Sequence, residues 1–254
     1  MDMQLKQEFI RLWGKYYNNA PLPLVFYYAD EAPQSVTTVN CLVAPLTKAR
    51  KGNTVVFSAD SVKCFGGRQY LGFSQRPTEA LSDQFEYTYL EYFLSSGIPG
   101  QIEGERYKKS PALCREVFQR APEFRAPAGY CVFKRWDMLD EKETPEVVVF
   151  FVKPDVLSGL FTLANYDTVD SNAVIIPWGS GCSSIITAPY LEKDAPHPRA
   201  VAGMLDISAR PFVARDELTF SVPMNRFTEM LGHIEESFHI TKDWQRIQKR
   251  ITAE

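Results

Sequence analysis

The stretch Glu146–Ser184, EVVVFFVKPDVLSGLFTLANYDTVDSNAVIIPWGSGCSS, decides how the chain is to be read. Val147 to Val152 is an unbroken apolar run rich in β-branched residues, the pattern of a strand buried on both faces. Pro154 and Asp155 follow it, and proline suits a first helical turn, where its missing N–H would have had no partner. Apolar spacing carries this helix to about Tyr166. Ala173 to Pro177 reads as a second strand, and a second helix starts near Ser180 to Cys182, out of the turn Gly179-Ser180-Gly181.

The same order of elements precedes it. Leu24 to Tyr28 is strand-like, and Val39, Leu42, Val43 and Leu46 fall on one face of a helix that closes with Lys48, Arg50 and Lys51 before Gly52. Pro45 should kink that helix. Asn53 to Ser58 is a strand, and Asp60 or Ser61 is an N-cap for a helix running through Cys64 to about Phe73. One single-residue gap lays Asn53 on Asn172 and Cys64 on Cys182. The expected fold is therefore α/β or α+β, with two degenerate β-α-β-α halves at about 20–75 and 145–192. They read as an internal duplication within one domain spanning 1–254.

Additional helices surround these halves. Leu5, Phe9, Leu12, Trp13 and Tyr16 make an amphipathic opening helix, and residues 83–96 an aromatic one. Ser110-Pro111 starts another, Pro223 starts another, and the last runs from Thr241 with Trp244, Ile247 and Ile251 on one face. Tyr130 to Trp136 and Glu217 to Val222 are further strands. The Pro- and Gly-punctuated region at about 100–128 reads as a joint.

Composition narrows the function classes. With 28 Lys+Arg against 31 Asp+Glu, the net charge is −3, and the basic runs are short, which argues against a dedicated nucleic-acid binder. No apolar run approaches the roughly 20 residues of a membrane-spanning helix, and the first residues lack the pattern of a signal peptide, so the chain is expected to be cytoplasmic. Five widely spaced cysteines, Cys41, Cys64, Cys114, Cys131 and Cys182, are an odd number with no CxxC pair, so reduced thiols are expected. The three histidines form no local metal motif.

Chemistry is expected where a strand hands over to a helix, because free N–H groups and the helix dipole there favour anions and thiolates. Cys64 stands at one such turn, followed by Gly66 and Gly67, and Cys182 at the other, between Gly181 and Ser183-Ser184. Cys41 opens the preceding helix, so the three thiols are expected along one rim at the carboxyl ends of the strands. Cys64 and Cys182 are the candidate catalytic thiols, with Gly66, Gly67, Gly181, Ser183, Ser184 and Arg210 as candidate ligand contacts. Arg210 enters through Asp206-Ile207-Ser208-Ala209-Arg210, whose acid and base, four apart, either pair or reach a site. Trp178 is a candidate stacking residue, whereas Cys114 and Cys131 read as packing. The ligand expected is a small anionic molecule. One alternative is a thiolate metal or iron–sulfur site from Cys41, Cys64 and Cys182; another is an interaction or regulatory protein without chemistry. No motif names a cofactor, since neither glycine segment matches G-x-G-x-x-G or the phosphate loop.

Cys64-Phe65-Gly66-Gly67 with Leu71-Gly72, Gly129 to Lys134, Gly181-Cys182-Ser183-Ser184, Asp206 to Arg210 and Glu217 to Pro223 occur in an order that resembles domain-of-unknown-function family 169. That family is found largely in archaea and anaerobic bacteria. The resemblance spans nearly the whole chain and implies a single cytoplasmic domain, with no activity, substrate or cofactor attached to it.

Overall fold

The computed structural model describes Met1–Ile251. Chain order is α1 (Met3–Tyr17), β1 (Leu24–Ala29), α2 (Leu46–Arg50), β2 (Val55–Phe57), α3 (Phe65–Tyr70), α4 (Tyr89–Phe93), β3 (Gly97–Ile98), β4 (Ile102–Glu103) and α5 (Pro111–Arg120). It continues through β5 (Tyr130–Arg135), β6 (Val147–Val152), α6 (Pro154–Ala164), β7 (Val174–Ile175), a π-helical turn (Ser183–Thr187) running into α7 (Ala188–Glu192), β8 (Ala200–Gly203), β9 (Leu218–Pro223), α8 (Met224–Gly232) and α9 (Lys242–Gln248). Two compact units result: residues 1–73 with 126 onward, and residues 74–125.

The larger unit is built on a seven-stranded mixed sheet in the order β2-β5-β1-β6-β9-β8-β7. The mixed α/β class is as expected, but most neighbours run antiparallel, and β7 with β8 is the one parallel pair among the named strands. The expected duplication gains no confirmation. β5 separates β1 from β2, whereas β7 pairs with β8, a strand whose short Ala-Val-Ala-Gly sequence carries little propensity and was not anticipated. Because β1 pairs antiparallel with β6, β1 and β2 run opposite to β6, β7 and β8. The carboxyl ends of β2 and β7 therefore point to opposite edges, so the strand ends do not form the common rim expected from sequence.

Alternation along the strands divides two buried faces. Val25, Val56, Val132, Val148, Phe150, Val152, Phe220 and Val222 face a core closed by Phe9, Trp13 and Tyr17 of α1, Leu160 and Leu163 of α6, Phe227 and Met230 of α8, and Trp244 of α9. Leu24, Phe26, Phe133, Val147, Val149, Thr219 and Ser221 face the other way. Tyr190 of α7 stacks on Phe26 there, with ring centroids 6.3 Å apart. An ion pair between half-buried Arg50 and buried Glu217, at 2.5 Å, anchors the end of α2 to the start of β9.

In the smaller unit the aromatic helix is shorter than expected. Thr88 and Glu91 form a capping box that sets its start at Tyr89. Glu91, nearly buried, also accepts from Arg115 Nε of α5 at 3.0 Å. The expected joint falls on ordered elements, the β3–β4 hairpin and α5.

Candidate functional site

Pro45 does not kink a long helix; it stands at the N-cap of a short one, because a residue without an N–H starts a helix more readily than it continues one. Residues 39–45 are released from helix, and Cys41 lies in a connection instead of opening a helix. There Val39 bridges Val62 in parallel: Val39 N–H donates to Ser61 O and Lys63 N–H donates to Val39 O, each at 2.9 Å. Cys41 and Cys64 each lie two residues beyond this bridge. Cys64 is itself the N-cap of α3, with Sγ accepting from Gly67 N–H at 3.5 Å, so α3 starts later than the Asp60 or Ser61 expected. A Cβ on Gly67 would stand 2.9 Å from Val62 Cγ1, 3.5 Å from Leu42 Cβ and 3.6 Å from Cys64 Cβ, which is why glycine is required for this close approach. Gly66 has more room, its nearest neighbour being the Tyr70 ring at 3.7 Å.

Cys182 sits in the first turn of the helix that passes through the π turn. A single π turn inside a helix is rare and recurs at functional sites. Gly181 N–H donates to Asp206 Oδ2 at 3.2 Å, so a carboxylate already occupies the positive end of this helix. That arrangement disfavours an external anion at the Cys182 turn. Ser184 Oγ donates to Gly181 O at 2.8 Å and accepts from Met204 N–H at 3.3 Å, tying the turn to the end of β8. Ser183 lies beside Gly179, whose Cβ would meet Ser183 Oγ at 3.3 Å. Met204 has φ of 61°, a left-handed conformation costly for a side chain of its size.

Arg210 does not pair with Asp206. Its guanidinium donates to the carbonyls of Met204, Glu217, Ala214 and Arg215, bracing the loop between β8 and β9. Asp206 instead accepts from Gly181 N–H and from Ser208 N–H and Oγ. Burial, reinforced by Cys41, Cys64 and Asp206, pushes the Cys182 thiol well above its ordinary range. Cys41 and Cys64, distant from Cys182 in the chain, are thus both felt at its sulfur. Cys64 is exposed, Cys41 and Cys182 are half-buried, and Cys114 and Cys131 are buried. Burial also raises the thiol of Cys131 far above the ordinary value.

Sequence reading missed Arg68. Its N–H donates to Cys64 O at 3.0 Å, one helical turn from the N-cap, and its Nε is buried with no hydrogen-bond partner. An i,i+4 scan from Cys64 would have found it. Thr187 Oγ1 donates to Tyr70 O at 2.8 Å, fastening the end of α3 to the π turn. Ser180, Thr219 and Ser221 also carry buried hydroxyl oxygens without partners, a property sequence does not report. Trp178 is exposed, as are Ile176, Leu205 and Ile207.

Among the described residues, no group of three or more His, Cys, Asp or Glu is arranged to hold a metal ion. The thiolate metal or iron–sulfur reading thus finds no ligand set there. No helix of the described residues is long and apolar enough to cross a membrane. A cavity elsewhere in the larger unit is lined by Pro21, Lys153, Asp155, Asp216 and Arg250, and contains none of the candidate residues.

Comparisons with curated proteins and with solved structures return no match. A family model, DUF169, described as an uncharacterised ArCR, matches residues 19–233. The match covers most of the 254 residues, and the chain belongs to the DUF169 family.

Proposed function

We propose that the protein binds a small anionic molecule at the Cys64 turn, with Cys64 as the accessible thiol and Arg68 as the counter-charge. The observation that carries this reading is the buried, unpartnered Nε of Arg68 one helical turn from Cys64. Nε–H is one of the five donors of a half-buried guanidinium, and burying that donor without a partner is costly unless a ligand supplies the acceptor. Gly66 leaves the backbone open to close approach, while Gly67 lets the turn pack against Val62 and Leu42. Cys64, not Cys182, is the nucleophile or covalent ligand in this scheme, because the Cys182 thiol resists ionisation and the helix end beside it is taken by Asp206. Gly181, Ser183 and Ser184 in this scheme shape the neighbouring helix, which Thr187 Oγ1 fastens to α3 at Tyr70 O.

Matched alkylating agents test the reading. Iodoacetate carries a carboxylate and iodoacetamide does not, so an anion-selective turn should raise the iodoacetate-to-iodoacetamide rate ratio at Cys64 several-fold over that of free cysteine. Arg68→Gln should return the ratio to the free value. A wild-type ratio equal to that of free cysteine overturns the proposal.

A further inference from the structure

We infer that Cys41 and Cys64 are a redox pair that closes to an intramolecular disulfide when the protein meets a hydroperoxide. The inference stands on the parallel bridge between Val39 and Val62, which sets the two chains side by side and leaves each cysteine the same two residues past the paired position. Chains in parallel register lie about 4.8 Å apart, inside the roughly 4.4–6.8 Å span of Cα atoms that a disulfide joins. Cys64 keeps extended backbone angles, φ −63° and ψ 121°, so it continues the strand direction before the helix turns away. The vacant Cβ position of Gly67 lies 2.9 Å from Val62 Cγ1, 3.5 Å from Leu42 Cβ, the residue after Cys41, and 3.6 Å from Cys64 Cβ, so both segments pack closely against this one glycine.

The other cysteines are poorer partners. Cys114 and Cys131 are buried. Cys182 shares the neighbourhood, but its sulfur is held in the thiol form, and it belongs to a different helix with no backbone pairing to either segment. Cys64 is exposed and Cys41 half-buried, an arrangement suited to a first-reacting thiol and a shielded resolving one.

The chemistry balances with the hydroperoxide as oxidant. Cys64 thiolate attacks the peroxide; an S–O bond forms, the O–O bond breaks, and the departing oxygen leaves as water or alcohol after taking a proton. Cys64 is then a sulfenic acid, oxidised by two electrons. Cys41 sulfur attacks it, an S–S bond forms and the S–O bond breaks, and the hydroxide leaves as water with the Cys41 proton. A thiol reductant reverses the pair.

Anion binding is not required for this step, so Arg68→Gln should form the same disulfide, and failure of either idea leaves the other standing. The test treats the reduced full-length protein with hydrogen peroxide, quenches with N-ethylmaleimide, and maps peptides by mass spectrometry. The expected result is the loss of two of the five thiols, a Cys41–Cys64 linked peptide in the monomer, and its disappearance on adding dithiothreitol. Cys41→Ser should leave a Cys64 sulfenic acid that dimedone traps. A link through Cys182, a disulfide formed only between molecules, or five thiols still free after oxidation would each overturn the inference.

Discussion

The two faces of the seven-stranded sheet are built to different standards. Against α1 and α9, buried polar groups are paired: Trp13 Nε1 donates to Ala20 O, Trp244 Nε1 donates to Tyr16 O, and His239 lies between Ser237 Oγ at 2.9 Å and Tyr17 OH at 2.8 Å. Against the π turn the opposite holds, with unpartnered hydroxyls on Thr219 and Ser221 and a left-handed Met204. A completed polar network specifies and rigidifies a core, while unpartnered groups and backbone strain persist where something other than stability is being served. The contrast assigns the first face to the stability of the fold and directs the search for function to the second.

Acid should break the first face, and this is the largest effect expected. Ser237 Oγ donates to Ile234 O, which leaves it to accept from His239 Nδ1–H, while His239 Nε2 accepts from Tyr17; both ring nitrogens are satisfied in the neutral form. Burial pushes the His239 pKa down to about 4. The unfolded chain, titrating near the ordinary histidine value of about 6.5, takes up its proton first as pH falls. This contribution to stability is therefore complete above about pH 6.5 and is lost as pH drops toward 4, by about 3 kcal/mol. Urea denaturation across that range checks it, with His239→Gln expected to flatten the slope.

Legibility from sequence followed the same division. The first face was readable because α1, α6, α8 and α9 carry apolar residues at helical spacing, and the N-cap Thr241 stands where its sequence signal puts it, as Ser110 does in the smaller unit. Cys64, Gly67 and Cys182 were found on the second face by their place at turns. The route by which they meet was not legible, because direction and neighbour order in a sheet depend on pairings between distant segments, such as β1 with β6. Asp206 and Arg210 were noticed together but act apart, a distinction made by the carbonyls around Arg210 and not by the spacing of the two residues.

Removing one of the unpartnered hydroxyls sharpens the comparison. Thr219 is fully buried, and its Oγ1 has no hydrogen-bond partner. Thr219→Val replaces that hydroxyl with a methyl of similar shape, so the desolvation penalty disappears with little change in packing. The variant is expected to be stabilised by about 1 kcal/mol in urea denaturation. A destabilisation of that size would mean that the hydroxyl has a bound water or ligand as partner, and the two faces would then differ less than their protein-only hydrogen bonds suggest.

Asp206 gives the smallest stability effect and the most local readout. Its carboxylate caps the helix at Gly181 N–H and is one of the influences holding the Cys182 thiol un-ionised. Asp206→Asn keeps an oxygen for the N–H but removes the negative charge from the helix end, at a cost of about 0.5–1 kcal/mol. The same change removes a repulsion between Asp206 and a Cys182 thiolate, so Cys182 should become more acidic, and its alkylation should begin at lower pH than in the wild type. Burial remains the larger cause, and the thiol should still titrate above an ordinary cysteine. Site-resolved alkylation against pH separates the two contributions. An unchanged Cys182 profile in Asp206→Asn would show that the carboxylate acts on the helix alone, leaving burial and the two neighbouring thiols to set the chemistry of that sulfur.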